Sequence, residues 1–165
     1  LAQLKTLGLR SLSKLTEVWN NVPRGVQGFQ NLKSIIVNRC HRLSYLFPSS
    51  VAKLLVELQS ITVDKCDAIE NIVQRDGEED EADISVFHKV TSIDLIGLPS
   101  LVSLSAGAYS FAWLSMKKID MKSCPKVKTF GSEIWSLKKQ KKTNGDRSTT
   151  KKSQRSSSVN KEVRI

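Results

Sequence analysis

The chain has 165 residues, 39% of them hydrophobic, with 26 Lys and Arg against 16 Asp and Glu, and 3 Cys. That length points to one domain. The absence of any run of eighteen apolar residues excludes a transmembrane helix, and three cysteines, an odd number without framework spacing, exclude a disulfide scaffold. The net charge of +10 is not spread along the chain: residues 138–165 hold ten bases and two acids, which leaves 16 bases and 14 acids for residues 1–137.

From the N-terminus, Leu1, Leu4, Leu7, Leu9, Leu12, Leu15 and Val18 set out a spacing that then recurs. After a turn at Asn20-Asn21-Val22-Pro23-Arg24-Gly25, it returns at Phe29, Leu32, Ile35, Val37, Cys40, Leu43 and Leu46. Pro48 closes this copy, and Ser49 or Ser50 is placed to cap a helical turn running through Val51, Leu54, Leu55 and Leu58. The third copy is Leu55, Leu58, Ile61, Val63, Cys66, Ile69 and Ile72. The stretch from Asp76 to Asp83 then carries six acids in eight residues, a self-repelling block expected to be a solvated loop; its spacing does not match an EF-hand calcium loop. Phe87, Val90, Ile93, Leu95, Leu98, Leu101 and Leu104 make the fourth copy. Trp113, Met116, Ile119, Met121, Cys124, Val127 and Phe130 make the fifth. Ile134-Trp135-Ser136-Leu137 offers three large apolar groups to cover the last copy. From Lys138 onward Ser, Thr, Lys and Arg dominate, and the composition predicts disorder.

All seven offsets are apolar in all five copies. This periodicity defines a leucine-rich repeat. The central L-x-L puts two side chains on one face of a short strand, because strand side chains alternate. The x-x steps on either side turn the chain back into the interior. One repeat cannot bury its own ridge: each buried aliphatic contributes roughly 1.5–3 kcal/mol against roughly 1.5 kcal/mol of entropy per ordered residue, so neighbours must stack. The expected fold is therefore an α/β leucine-rich-repeat solenoid of about five repeats. Short parallel strands line its concave face, its convex side is irregular or short-helical, and a disordered tail follows. Repeats fall near 1–28, 29–54, 55–86, 87–112 and 113–137, with a basic tail over 138–165. The N-terminus lacks both Met and a signal-peptide core and starts inside a repeat. A fragment of a longer array is expected, with its first leucines exposed for want of a preceding coil.

Cys40, Cys66 and Cys124 share one offset, at the turn leaving the strand, and read as buried structural thiols whose S–H meets backbone groups. Cys40-His41 is not at zinc spacing, His88 has no partner near in sequence, and none of the common phosphate-binding, nucleophile-elbow or zinc-protease motifs occurs. No catalytic, cofactor or metal site is expected. No N-x-S/T sequon occurs, in keeping with an intracellular chain. The array offers a surface instead. Alternate strand residues must point outward on the concave side, and the candidate protein-binding set among them is Arg10, Ile36, Asn38, Thr62, Asp64, Asp94, Ile96, Lys118, Asp120 and Lys122. Ile36 and Ile96 are apolar where water is expected, which fits a contact surface. The mixed signs of the charges argue against a nucleic-acid face on the array. Lys138 to Lys142 could form a nuclear-localisation or polyanion-binding patch, but no aromatic residue interleaves with them to stack on bases.

Several phrases carry a family likeness: Phe29-Gln30-Asn31-Leu32-Lys33, Cys40-His41-Arg42-Leu43 with Leu46-Phe47-Pro48-Ser49-Ser50-Val51-Ala52, and Val63-Asp64-Lys65-Cys66-Asp67-Ala68-Ile69-Glu70-Asn71-Ile72-Val73. Leu95-Ile96-Gly97-Leu98-Pro99-Ser100-Leu101, Ser123-Cys124-Pro125-Lys126-Val127 and the acidic insertion continue it. Over about residues 1–135 the chain resembles the C-terminal leucine-rich repeats of plant intracellular nucleotide-binding disease-resistance receptors of the coiled-coil class. The resemblance implies a module that recognises pathogen effectors or guarded host proteins and holds the receptor's nucleotide-binding module inactive, in the cytoplasm or nucleus. No nucleotide-binding module lies in this chain, so nucleotide binding is not carried over, and the lysine-rich tail departs from the family's pattern. Two other readings remain open: a substrate adaptor of a ubiquitin ligase, and a nuclear or polyanion-binding protein acting through the tail, whose binding would weaken steeply with salt.

Overall fold

A computed structural model describes residues 4–20, 29–76, 87–105 and 115–127, together with the backbone of 160–164. Each L-x-L core is the centre of a five-residue strand: β1 (Thr6–Arg10), β2 (Ser34–Asn38), β4 (Ser60–Asp64), β6 (Ser92–Ile96) and β8 (Lys118–Lys122). Three shorter strands, β3 (Tyr45–Pro48), β5 (Asn71–Gln74) and β7 (Ser103–Ser105), a helical turn α1 (Ser49–Ala52) and a terminal strand β9 (Asn160–Arg164) complete the set. Two sheets result, β1-β2-β4-β6-β8-β9 and β3-β5-β7, and every pairing is parallel except β8 with β9. The chain is a leucine-rich-repeat solenoid, one coil per repeat.

The repeat spacing is built by backbone bonds that recur at fixed offsets. Before each strand, a carbonyl of the previous coil accepts from two successive N–H groups, as Lys33 O does from Gln59 and Ser60. The residue after each long strand turns left-handed, with φ of 53–62° at Ser11, Arg39, Lys65, Gly97 and Ser123. In that geometry the N–H of Arg39 reaches Asp64 O at 2.9 Å and that of Lys65 reaches Ile96 O at 2.8 Å, so the ladder runs one rung past the strand. The next x-x step is a tight turn, closed by Leu43 N–H to Cys40 O, Leu101 N–H to Leu98 O and Val127 N–H to Cys124 O, each 3.3 Å.

The interior is a stack of equivalent side chains. Ile35, Ile61, Ile93 and Ile119 are in register and fully buried, and so are Val37, Val63 and Leu95. Aromatic rings continue the stack across coils: Trp19 meets Phe29 edge-on at 4.9 Å and Phe47 at 5.9 Å, and Phe47 meets Phe87 at 6.2 Å. Trp19 is itself buried and donates its indole N–H to Leu46 O at 2.6 Å. Cys40 and Cys66 are buried as expected and Cys124 only half-buried; each thiol meets a backbone carbonyl at the strand end, with Cys66 Sγ 3.4 Å from Asp64 O and Cys124 Sγ 3.4 Å from Lys122 O.

On the far side the structure departs from the expected helical turns. The helix that the sequence places through Leu58 ends at Ala52, and Leu54, Leu55 and Leu58 continue in turns of three-residue span. Neither Ser49 nor Ser50 caps it; the N-cap is Pro48, without a side-chain bond. Both hydroxyls and the Ser50 N–H donate instead to the Asp76 carboxylate of the next coil. The consecutive buried pairs Leu46-Phe47 and Ile72-Val73 lie on β3 and β5, where neighbouring coils zip backbone to backbone as a second parallel sheet.

Most of the acidic block, residues 77–83, lies outside the described residues, as does the cap expected at 134–137. The tail over 138–165, for which composition predicts disorder, is described only at β9. Those five residues pair with the β8 edge, which would otherwise present a row of unsatisfied backbone groups.

Candidate interaction face

Strand alternation leaves three rows of side chains on the outer face of the larger sheet, and parallel register aligns them across the coils. The first row is Thr6, Ser34, Ser60, Ser92, Lys118; the second Gly8, Ile36, Thr62, Asp94, Asp120; the third Arg10, Asn38, Asp64, Ile96, Lys122. All ten residues of the expected binding set lie in the second and third rows or at Lys118. The fold therefore gathers them on one face, in strands spaced about 4.8 Å apart. Those on β2, β4 and β6 are half-buried and those on β1 exposed.

The rows are not a set of independent groups. Asn38 Nδ2 donates to Asp64 Oδ2 at 2.5 Å, and Ser60 Oγ donates to Ser34 Oγ at 2.8 Å. At the C-terminal end Lys118 Nζ lies 3.4 Å from Asp94 Oδ1 and 4.0 Å from Asp120 Oδ2, and Lys122 Nζ lies 3.0 Å from Asp120 Oδ2. Four of the six charged candidates thus neutralise one another in one chain of contacts. Asp120 is buried, and its Oδ1 has no hydrogen-bond partner among the described residues. Ile36 and Ile96 do not meet. They occupy different rows, with β4 between their strands, so they form two separate apolar points. At the other end Gly8 leaves an open notch, with no atom within 4 Å of where a Cβ would stand.

Three features were not singled out from sequence. Asp76, read as part of the solvated acidic block, is the anchor of α1. Burial pushes its carboxyl up, but the bonds from Ser49 and Ser50 outweigh that and hold it below the usual carboxylate range. Along the rim, His41 Nδ1 lies 2.7 Å from Asp67 Oδ2 and Lys89 Nζ lies 2.5 Å from Glu57 Oε1. Both pairs join equivalent offsets of adjacent coils, so aligning the copies would have exposed them. The left-handed residues also share one offset, but four of the five are not Gly, which removed the usual signal.

The thiols of Cys66 and Cys124 are poor nucleophiles, since burial pushes Cys66 up to about 11 and the partial burial of Cys124 raises it as well. Among the described residues no group of three His, Cys, Asp or Glu could hold a metal ion, and no helix is long and apolar enough to cross a membrane. What the face can do is contact another macromolecule with a graded array of hydroxyl, amide, aliphatic and ionic groups. Residues 1–67 match the family model for plant disease resistance protein RPS2-like leucine-rich repeats. This stretch is therefore similar to a plant disease-resistance leucine-rich-repeat region, a scaffold for protein interaction. No curated protein and no solved structure matches the chain.

Proposed function

We propose that the chain is a protein-recognition and autoinhibitory module of a plant immune receptor, acting in defence against pathogens through the concave, outer face of its larger sheet. It works in the cytoplasm or nucleus, where the face engages a pathogen effector or a guarded host protein and, in the resting receptor, the nucleotide-binding module. The observation that carries this reading is the register: side chains that change along the second and third rows, held at one spacing by recurring backbone bonds. Such a ladder changes its chemistry without changing its scaffold. The family likeness of residues 1–67 supports the same reading.

The test reverses charge on the ladder. Asp64→Lys and Asp94→Lys, with an unchanged circular-dichroism spectrum, should weaken capture of the nucleotide-binding module at least tenfold, or release receptor activity in the absence of pathogen. Ile61→Asp is the control, since it puts an unpaired charge at a fully buried position and unfolds the array. If both surface reversals leave capture and activity unchanged, the binding face lies elsewhere.

A further inference from the structure

The larger sheet ends on a strand that does not belong to the repeat. β1, β2, β4, β6 and β8 run parallel, 26 to 32 residues apart in sequence, whereas β9 starts 42 residues after β8 and pairs antiparallel. Its register is Lys118 with Arg164, Ile119 with Val163, Asp120 with Glu162, Met121 with Lys161 and Lys122 with Asn160. Lys161 thus stands in register with the buried Met121, at an offset that is apolar in every true copy. β9 is not a sixth coil.

We propose that the outer edge of β8 is a strand-docking site, and that Asn160–Arg164 is its intramolecular occupant, a detachable cap on the open edge of the array. The pairing rests on backbone bonds, because the register works against it elsewhere. Two of its five registered pairs, Lys118 with Arg164 and Asp120 with Glu162, are of like charge, and like-charged residues at paired positions of a sheet are destabilising. Asp120 is a poor place for a second carboxylate. It is buried, its Oδ1 has no partner among the described residues, and its Oδ2 is already shared by Lys118 and Lys122.

What keeps the strand there is connection. Asn160 follows Lys122 in the same chain, with 37 residues between them, so the docking is intramolecular and does not have to bring two molecules together. A short strand opposed by charge and favoured by tethering opens far more readily than the coils beneath it. Once open, β8 exposes the backbone row that edge strands use to capture another extended segment.

Amide hydrogen exchange on the full chain tests this. Successive N–H groups of a strand point to opposite edges, so replacing both Glu162 and Val163 by Pro removes one facing β8 whichever it is. The double-proline variant should exchange the β8 amides that face β9 at least tenfold faster than the unaltered chain, with β2 and β4 unchanged. Glu162→Gln, which removes the charge opposite Asp120, should slow the same amides severalfold. Equal β8 exchange in all three proteins overturns the docking assignment. Faster exchange throughout the array in the double-proline variant overturns the detachable cap, making β9 part of the folding unit.

Discussion

The first and third coils carry the same pattern and meet different fates. Leu7 and Leu9 on β1 are half-buried and Leu12 is 42% exposed, whereas Ile61, Val63 and Cys66 at the same offsets are 0% exposed. Neither strand length nor side-chain type separates them. The third coil is covered on both sides, by β2 and β6, while β1 pairs with β2 alone. Burial in this molecule is supplied by the neighbour, as a quasi-one-dimensional array requires. The two sheet ends sharpen the point, since β8, flanked by β6 and β9, has the burial of a central strand and β1, flanked on one side, does not.

The strongest way to break the comparison is to make the same cut in both coils. Ile61→Ala should cost about 2–5 kcal/mol, because the surrounding stack cannot close around the lost volume. Leu7→Ala removes a half-buried group and should cost less than half as much. Denaturant melts of the two variants measure the ratio, and equal losses would mean that β1 is covered in solution.

A smaller effect separates the coils by pH. Cys66 holds its proton in the folded state up to about 11, against an ordinary value of 9.0. Its contribution to stability is complete below pH 9, where folded and unfolded chains are both protonated. It falls as pH rises from 9 to about 11, because the unfolded chain ionises first. Melting temperature should therefore drop over that window, and Cys66→Ala should flatten the drop while lowering stability at neutral pH. A drop of the same size in both proteins would remove Cys66 as its source.

The smallest expected effect concerns the turn after each strand. Arg39 and Gly97 occupy the same left-handed offset, at φ 54° and 62°. A side chain is strained there and glycine is not, so Arg39→Gly should gain up to about 1 kcal/mol while Gly97→Ala should lose about as much. Thermal melts of both variants check the pair. The Gly97 site has room, with its nearest neighbour Lys65 Cγ 3.5 Å from an added Cβ, so the loss there would report backbone strain alone.

Sequence by itself determined the coil, its length and its interior, because seven apolar offsets repeated five times admit one way of stacking. It also determined which strand residues face outward, since alternation leaves no choice once Ile35, Ile61 and Ile93 point in. Tertiary structure alone decided how those residues treat one another. The bond from Asn38 to Asp64, the ion pair of Asp94 with Lys118, and the separation of Ile36 from Ile96 all depend on register between coils, whereas Lys118, Asp120 and Lys122 alternate along one strand. Residues 24 or more positions apart in the chain leave no local signal of such a meeting. The same reason hid the hold of Asp76 on Ser49 and Ser50, and the return of Asn160–Arg164 to β8. Local pattern sets which face a side chain occupies; only the stacked backbone sets what stands beside it.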